Sequence, residues 1–122
     1  MTRTFLIAKI HRATVTGAEL NYEGSIAVDS VLIDAAGLFP MERVEIYNIA
    51  TGARFATYLI AGKSGEVTLN GAAARLVQPG DRIIVCAYGQ LTPDEIETHT
   101  ARVVLVDDRN QITRVFGSPT GG

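Results

Sequence analysis

A succession of short β-branched and apolar runs, broken at fairly even intervals by turn signals, limits what this 122-residue chain can fold into. Such runs occupy residues 3–16, 25–28, 44–49, 54–60, 66–69, 82–88, 102–106 and 111–116, each about the length of a strand. Gln78-Pro79-Gly80-Asp81 before the run at 82 is a strong turn signal, and Thr51-Gly52 divides two runs that read as a hairpin. Along 44–49, Val44, Ile46 and Asn48 alternate with Glu45, Tyr47 and Ile49.

Helical signals are few. Asp29 and Ser30 suit an N-cap, Val31, Leu32, Ala35 and Ala36 have helical spacing, and Gly37 suits a left-handed C-terminal cap. Asn70-Gly71 can turn sharply into an alanine-rich helical turn ending near Leu76, and Thr92-Pro93-Asp94-Glu95 opens another. Residues 17–24 are polar and turn-prone, and the small, polar residues 117–122 predict a mobile tail. The pattern predicts a mainly β protein, a small closed or nearly closed barrel and not a Rossmann-like sheet, with one domain over 1–116.

Charge removes several functions. Eleven basic and 13 acidic residues are scattered along the chain, for a net charge of -2, which gives no footprint for nucleic acid or anionic membrane. The lone Cys86 excludes an internal disulfide and a cysteine-based zinc cluster and fits the reducing cytoplasm. Lys9 interrupts the first apolar run, and no run reaches membrane-spanning length.

Gly24-Ser25 sits at a loop-to-strand junction, and taken alone it is an ordinary turn. A serine Oγ can nevertheless attack the preceding carbonyl when the backbone bends, and glycine removes the Cβ that would obstruct the bend. Strain of about 1 to 3 kcal/mol accelerates such a step by roughly five- to 150-fold. That is too little without an oxyanion donor, whose loss typically costs about 100- to 1000-fold. Thr57 is the candidate donor. The ester can then undergo β-elimination, and hydrolysis of the dehydroalanine leaves a pyruvoyl ketone on residue 25, able to form a Schiff base without pyridoxal phosphate.

Downstream, Arg54 and Tyr58 share one strand face about 13 Å apart, with the small Ala56 between them. Thr57 points to the opposite face of a regular strand, so a site using all three suggests a subunit boundary. Upstream, Lys9, His11 and Ala13 alternate with Ile10 and Arg12, placing Lys9 and His11 together. Each of these residues has an ordinary reading as a solvated or half-buried side chain, and His11 without a ligand cluster is a poor metal candidate.

From residue 3 to about 116 the sequence resembles the pyruvoyl-dependent aspartate 1-decarboxylases. Five ordered blocks carry the resemblance: Lys9-Ile10-His11-Arg12-Ala13-Thr14-Val15-Thr16, Tyr22-Glu23-Gly24-Ser25, Asp34-Ala35-Ala36-Gly37, Gly52-Ala53-Arg54-Phe55-Ala56-Thr57-Tyr58 and Asn70-Gly71-Ala72-Ala73-Ala74. It implies a small six-stranded double-psi β-barrel with one or two short helices, assembled as a homotetramer with sites between subunits. It also implies self-cleavage into chains 1–24 and 25–122, and a carboxy-lyase converting L-aspartate to β-alanine and CO2 for pantothenate synthesis, with no metal.

By the same resemblance, Ser25 becomes the pyruvoyl group, Tyr58 donates the proton, and Gly24, Ser25, Thr57 and Tyr22 serve processing. Thr57, Gly71, Ala72, Ala73, Arg54, Lys9, Asn70 and His11 surround the substrate. A phenol is a sensible acid, since it keeps its proton until it meets a strongly basic carbanion. An arginine gripping the departing carboxylate would favour the ground state, so Arg54 is assigned to the side-chain carboxylate that survives. Arg75, Asn21 and a 58–70 connection two residues short depart from the usual pattern. The alternatives are a non-catalytic β-barrel interaction module and a pyruvoyl decarboxylase of another amino acid; the need for a maturation factor stays open.

Overall fold

In the computed structural model, which describes residues 1–120, the apolar runs form nine strands among the described residues. They are β1 (Arg3–Thr14), β2 (Gly17–Glu19), β3 (Ser25–Asp29), β4 (Arg43–Asn48), β5 (Arg54–Gly62), β6 (Val67–Asn70), β7 (Arg82–Leu91), β8 (Thr100–Val106) and β9 (Ile112–Pro119). All belong to one sheet in the order β2-β6-β3-β5-β4-β7-β1-β8-β9. Each of the six contiguous strands from β6 to β1 contributes a fully buried side chain: Leu69, Ile26, Leu59, Ile46, Ile83 and Ile10, all 0% exposed. At about 1.5 to 3 kcal/mol for each large apolar side chain buried, this shared core holds the six strands as one unit.

The architecture is mainly β and consistent with a small barrel, but the ladder does not close. Point contacts tie its two flanks together: Thr16 N donates to the Val67 carbonyl at 2.7 Å, Val67 N donates to Thr16 Oγ1 at 2.9 Å, and Asn110 Nδ2 donates to the Gly65 carbonyl at 3.0 Å. The strand count exceeds six because β2 adds to one side and the β8–β9 hairpin extends the other.

Among the described residues three short helical pieces are present where one or two were expected: α1 (Ser30–Ala35), a 3-10 turn (Gly71–Leu76) and α2 (Pro93–Thr98). Asp29 caps α1 by accepting from Val31 N at 2.8 Å, and its other oxygen accepts from Gly65 N. Gly37 then ends the helix at a φ of +71°, the left-handed region where a side chain is disfavoured. Thr92 and Glu95 form a reciprocal capping box at α2. Among the described residues no helix is long and apolar enough to cross a membrane.

The pairing of β1 with β7 shifts register twice, once at Ile7, between the Leu6–Tyr88 and Ala8–Ala87 pairs, and again after Ile10. Ile10 stands opposite Val85 and Ala13 opposite Ile83, so His11 and Arg12 together face a single residue of β7. This bulge, with Arg12 at a φ of +66°, shifts the side-chain phase by one. Ala13 therefore lies in the core at 1% exposure, correcting its expected place beside Lys9 and His11, and Arg12 is exposed.

Two further segments differ from their expected state. Gly17–Glu19 is strand β2, paired in parallel with Thr68, Leu69 and Asn70. Residues 117–119, expected in a mobile tail, continue β9 against Thr100, Ala101 and Arg102. Thr120 Oγ1 donates to the Ile96 carbonyl at 2.7 Å; the rest of the expected tail, 121–122, lies outside the described residues.

Candidate active site

β5 changes partners along its length, and this positions the site. Residues 54–58 pair with β4, whereas Leu59, Ile60, Ala61 and Gly62 pair in parallel with Ile26, Ala27, Val28 and Asp29 of β3. On the β3 side, residues 54–58 of β5 therefore have no strand beside them among the described residues. The parallel register carried back from Ile26 and Leu59 brings Gly24 level with Thr57. A cavity of about 290 Å³ opens there, lined by Gly24, Phe55, Ala56, Thr57, Ala72, Ala73 and Leu76.

Ser25 is the first residue of β3 and is 1% exposed, anchored by Ile26 beside it in the core. Its Cα stands opposite Asn70 on β6. Asn70 Nδ2 donates to Ser25 Oγ at 3.0 Å, and the Ser25 hydroxyl donates to the Glu23 carbonyl at 3.2 Å. The hydroxyl thus points one peptide upstream of the carbonyl it would attack, so attack at Gly24 requires that bond to break. On the upstream side Leu20 and Tyr22 are 51% and 60% exposed. One side of the Gly24-Ser25 bond is fixed in a sheet, and the other lies in an exposed turn.

The need for glycine falls at a different residue from the one the sequence suggested. A Cβ placed on Gly24 would meet nothing within 4 Å, whereas Gly71 has a φ of +66° and backbone packed against it. A Cβ on Gly71 would lie 2.7 Å from Gly24 Cα, 2.8 Å from Gly24 N and 3.0 Å from the Tyr22 carbonyl oxygen. The 3-10 turn starts at this glycine, with Asn70 as the extended residue before it.

Arg54 and Tyr58 lie on the opposite face of β5 from Thr57, as their spacing predicts. Arg54 Cζ sits 3.9 Å from the centre of the Tyr47 ring, a cation–π contact. The Tyr47 and Tyr88 hydroxyls are 2.8 Å apart. Together with Thr4, Arg43, Glu45 and Cys86, these two tyrosines line a second cavity of about 420 Å³. Lys9 is opposite Cys86 across β1 and β7, and Tyr58 is opposite Arg43 across β5 and β4. The hydrogen bond from Tyr47 and partial burial push the Tyr88 phenol up, and burial pushes the Cys86 thiol up.

One chain therefore brings Gly24, Ser25, Thr57, Asn70, Gly71, Ala72 and Ala73 to one junction and sends Lys9, Arg54 and Tyr58 to another face. His11 sits in the β1 bulge with Nδ1 buried and without a hydrogen-bond partner; burial, then Lys9 and Arg12, lower its pKa. Tyr22 borders a third cavity with Glu19, Glu66 and Asn70. Arg75 lines a fourth, with Thr51, Gln78 and Asp81, and not the one at Gly24. Tyr47, Tyr88 and Glu45 are the residues sequence reasoning missed. Alternation put Tyr47 on the Glu45 side of its strand, but only the register across β4, β5 and β7 brings it under Arg54. Among the described residues no three His, Cys, Asp or Glu side chains cluster as metal ligands.

Residues 1–113 match the family model described as aspartate decarboxylase. The chain is 60% identical over 118 residues to the aspartate 1-decarboxylase of Neisseria meningitidis, covering 95% of this chain and 93% of that protein. It is 56% identical over 113 residues to that of Bdellovibrio bacteriovorus, covering 93% and 91%. Against that of Bacillus pumilus the identity is 54% over 119 residues, covering 96% and 94%.

Proposed function

Because this chain belongs to the aspartate decarboxylase family, it is a carboxy-lyase that converts L-aspartate to β-alanine and CO2, and we propose that it does so with a pyruvoyl group made from its own Ser25. The buried Ser25 hydroxyl, gripped by Asn70 beside Gly24, is the observation that carries this reading. In maturation Oγ bonds to the Gly24 carbonyl carbon, the C–N bond breaks, and the hydroxyl proton goes to the freed nitrogen. Elimination then returns the Gly24 carboxylate, and hydrolysis releases ammonia. The residue formed is no larger than the serine it replaces, and the small Ala72 and Ala73 leave the adjoining cavity open.

The ketone supplies an electron sink for the electron pair left when CO2 departs. The chain's own residues do the rest. Arg54, its guanidinium held over the Tyr47 ring, grips the side-chain carboxylate through parallel N–H bonds, and Lys9 adds charge of the same sign. Tyr58 holds the proton that the α-carbon receives. Thr57 offers its hydroxyl to the developing oxyanion during maturation and then, with the backbone of Gly71, Ala72 and Ala73, borders the bound aspartate. Asn70 holds Ser25 Oγ during maturation and, once that oxygen has left with the Gly24 carboxylate, its amide borders the pyruvoyl group; His11 and Tyr22 close the surroundings.

Arg54 and Tyr58 face away from the junction that holds Ser25, so the working site joins the outer face of one subunit to the junction of a neighbour in a homotetramer. The enzyme acts in the cytoplasm and feeds pantothenate synthesis. Intact-mass analysis of purified protein tests the reading: a 1–24 fragment and a partner beginning with pyruvoyl are expected. A stable, uncleaved chain that still decarboxylates aspartate would overturn it.

A further inference from the structure

Asn70 and Gly71 touch the two sides of the same peptide bond. Asn70 holds the Ser25 hydroxyl at 3.0 Å, and Gly71 lies against the Gly24 backbone so closely that a methyl would come to 2.7 Å of Gly24 Cα and 2.8 Å of Gly24 N. Ordinary contact is 3.4–4 Å. The neighbouring atoms are backbone and cannot rotate out of the way, so any side chain at 71 displaces the segment that carries the carbonyl to be attacked. Gly24 itself faces open space. The close fit at this junction is therefore supplied by residue 71 and not by the glycine of the scissile pair.

We propose that Gly71 is a positioning residue for self-cleavage: its bare Cα forms the backstop that sets Gly24 against the Ser25 hydroxyl that Asn70 holds. This rests on the pyruvoyl reading and adds to it a maturation role for a residue otherwise expected to border substrate. The step affected is the first one, in which Oγ bonds to the Gly24 carbonyl carbon as the C–N bond breaks. A displacement near 1 Å at a reacting pair costs about 100-fold. The segment that would move, around Tyr22, is exposed, so the fold should survive.

The test follows the appearance of the 1–24 fragment by intact mass in wild type, Gly71→Ala and Gly71→Asn, with circular dichroism and melting temperature measured on each. Asparagine tolerates a positive φ better than alanine but still carries a Cβ, so it separates backbone strain from contact. Both variants are expected to fold and to cleave at least about 100-fold more slowly than wild type. Hydroxylamine, which cleaves an accumulated ester, should release no fragment from either, because the ester does not form. Cleavage at the wild-type rate in either folded variant overturns the proposal. So does hydroxylamine release of the fragment, which would place the fault in elimination, or loss of fold in both variants, which would make Gly71 a folding requirement. Failure of wild type to cleave would instead defeat the pyruvoyl reading.

Discussion

The two faces of β5 hold side chains in different ways. On the Gly24 side the groups are small, buried and fixed by backbone: Ser25 and Asn70 are 1% and 4% exposed, and Gly71 leaves no space for a methyl. On the other side Arg54 is exposed and is steadied by an aromatic ring. The first arrangement suits a reaction within one chain that happens once, because backbone positions its atoms without needing a ligand. The second suits a charged molecule that must enter and leave, because an exposed guanidinium can exchange water for carboxylate. Separate substitutions should therefore disable making the reactive group and holding the substrate.

Ser25→Ala sets the largest effect: a folded chain with no 1–24 fragment by mass and no CO2 release from labelled aspartate. Thr57→Val should slow the appearance of the fragment by about 100- to 1000-fold, the usual loss for one oxyanion donor. If Thr57→Val cleaves normally, the division of β5 into a maturation face and a substrate face is broken.

Arg54→Ala should leave cleavage intact while kcat/KM falls roughly 10- to 150-fold, the loss of one charged hydrogen-bonding partner at about 1.5 to 3 kcal/mol. Slow cleavage in this variant would merge the two faces. Smaller again is Tyr47→Leu, which removes a contact of about 0.5 to 2 kcal/mol and should raise KM by about two- to 30-fold with little change in kcat. Tyr47→Phe, which keeps the ring and loses the bond to Tyr88, should fall between this variant and wild type.

The smallest effect concerns pH. His11 has its pKa lowered in the folded chain by burial and by its cationic neighbours, so the unfolded chain binds more protons in the window just below the ordinary value near 6.5. Stability therefore falls as pH drops through that window. Melting curves at pH 7.5 and 5 should show a smaller decline for His11→Gln than for wild type.

Much of this was legible because it is local. The Asp29 cap, the Gly37 stop, the Thr92–Glu95 box and the face shared by Arg54 and Tyr58 each depend on residues a few positions apart. What the sequence concealed depends on partners distant in the chain. Gly17–Glu19 has no β-branched residue and becomes a strand only because β6 offers an edge. The β1 bulge arises from register with β7, so alternation alone put Ala13 on the wrong face. Tyr47 meets Arg54 through strand pairing, and Gly24 drew attention that belonged to Gly71, because close contact 47 positions away leaves no mark in a dipeptide.

β6 pairs with β2 on one side and β3 on the other, with Glu19 and Ser25 both opposite Asn70. A cut between Gly24 and Ser25 would separate β2 from β3 in covalent order, yet both would remain splinted to the same strand. The leading fragment would also keep β1 clasped between β7 and β8. Chain scission at this point would remove a tether and leave every interface in place, so the mature protein would be a permanent fragment-complementation pair.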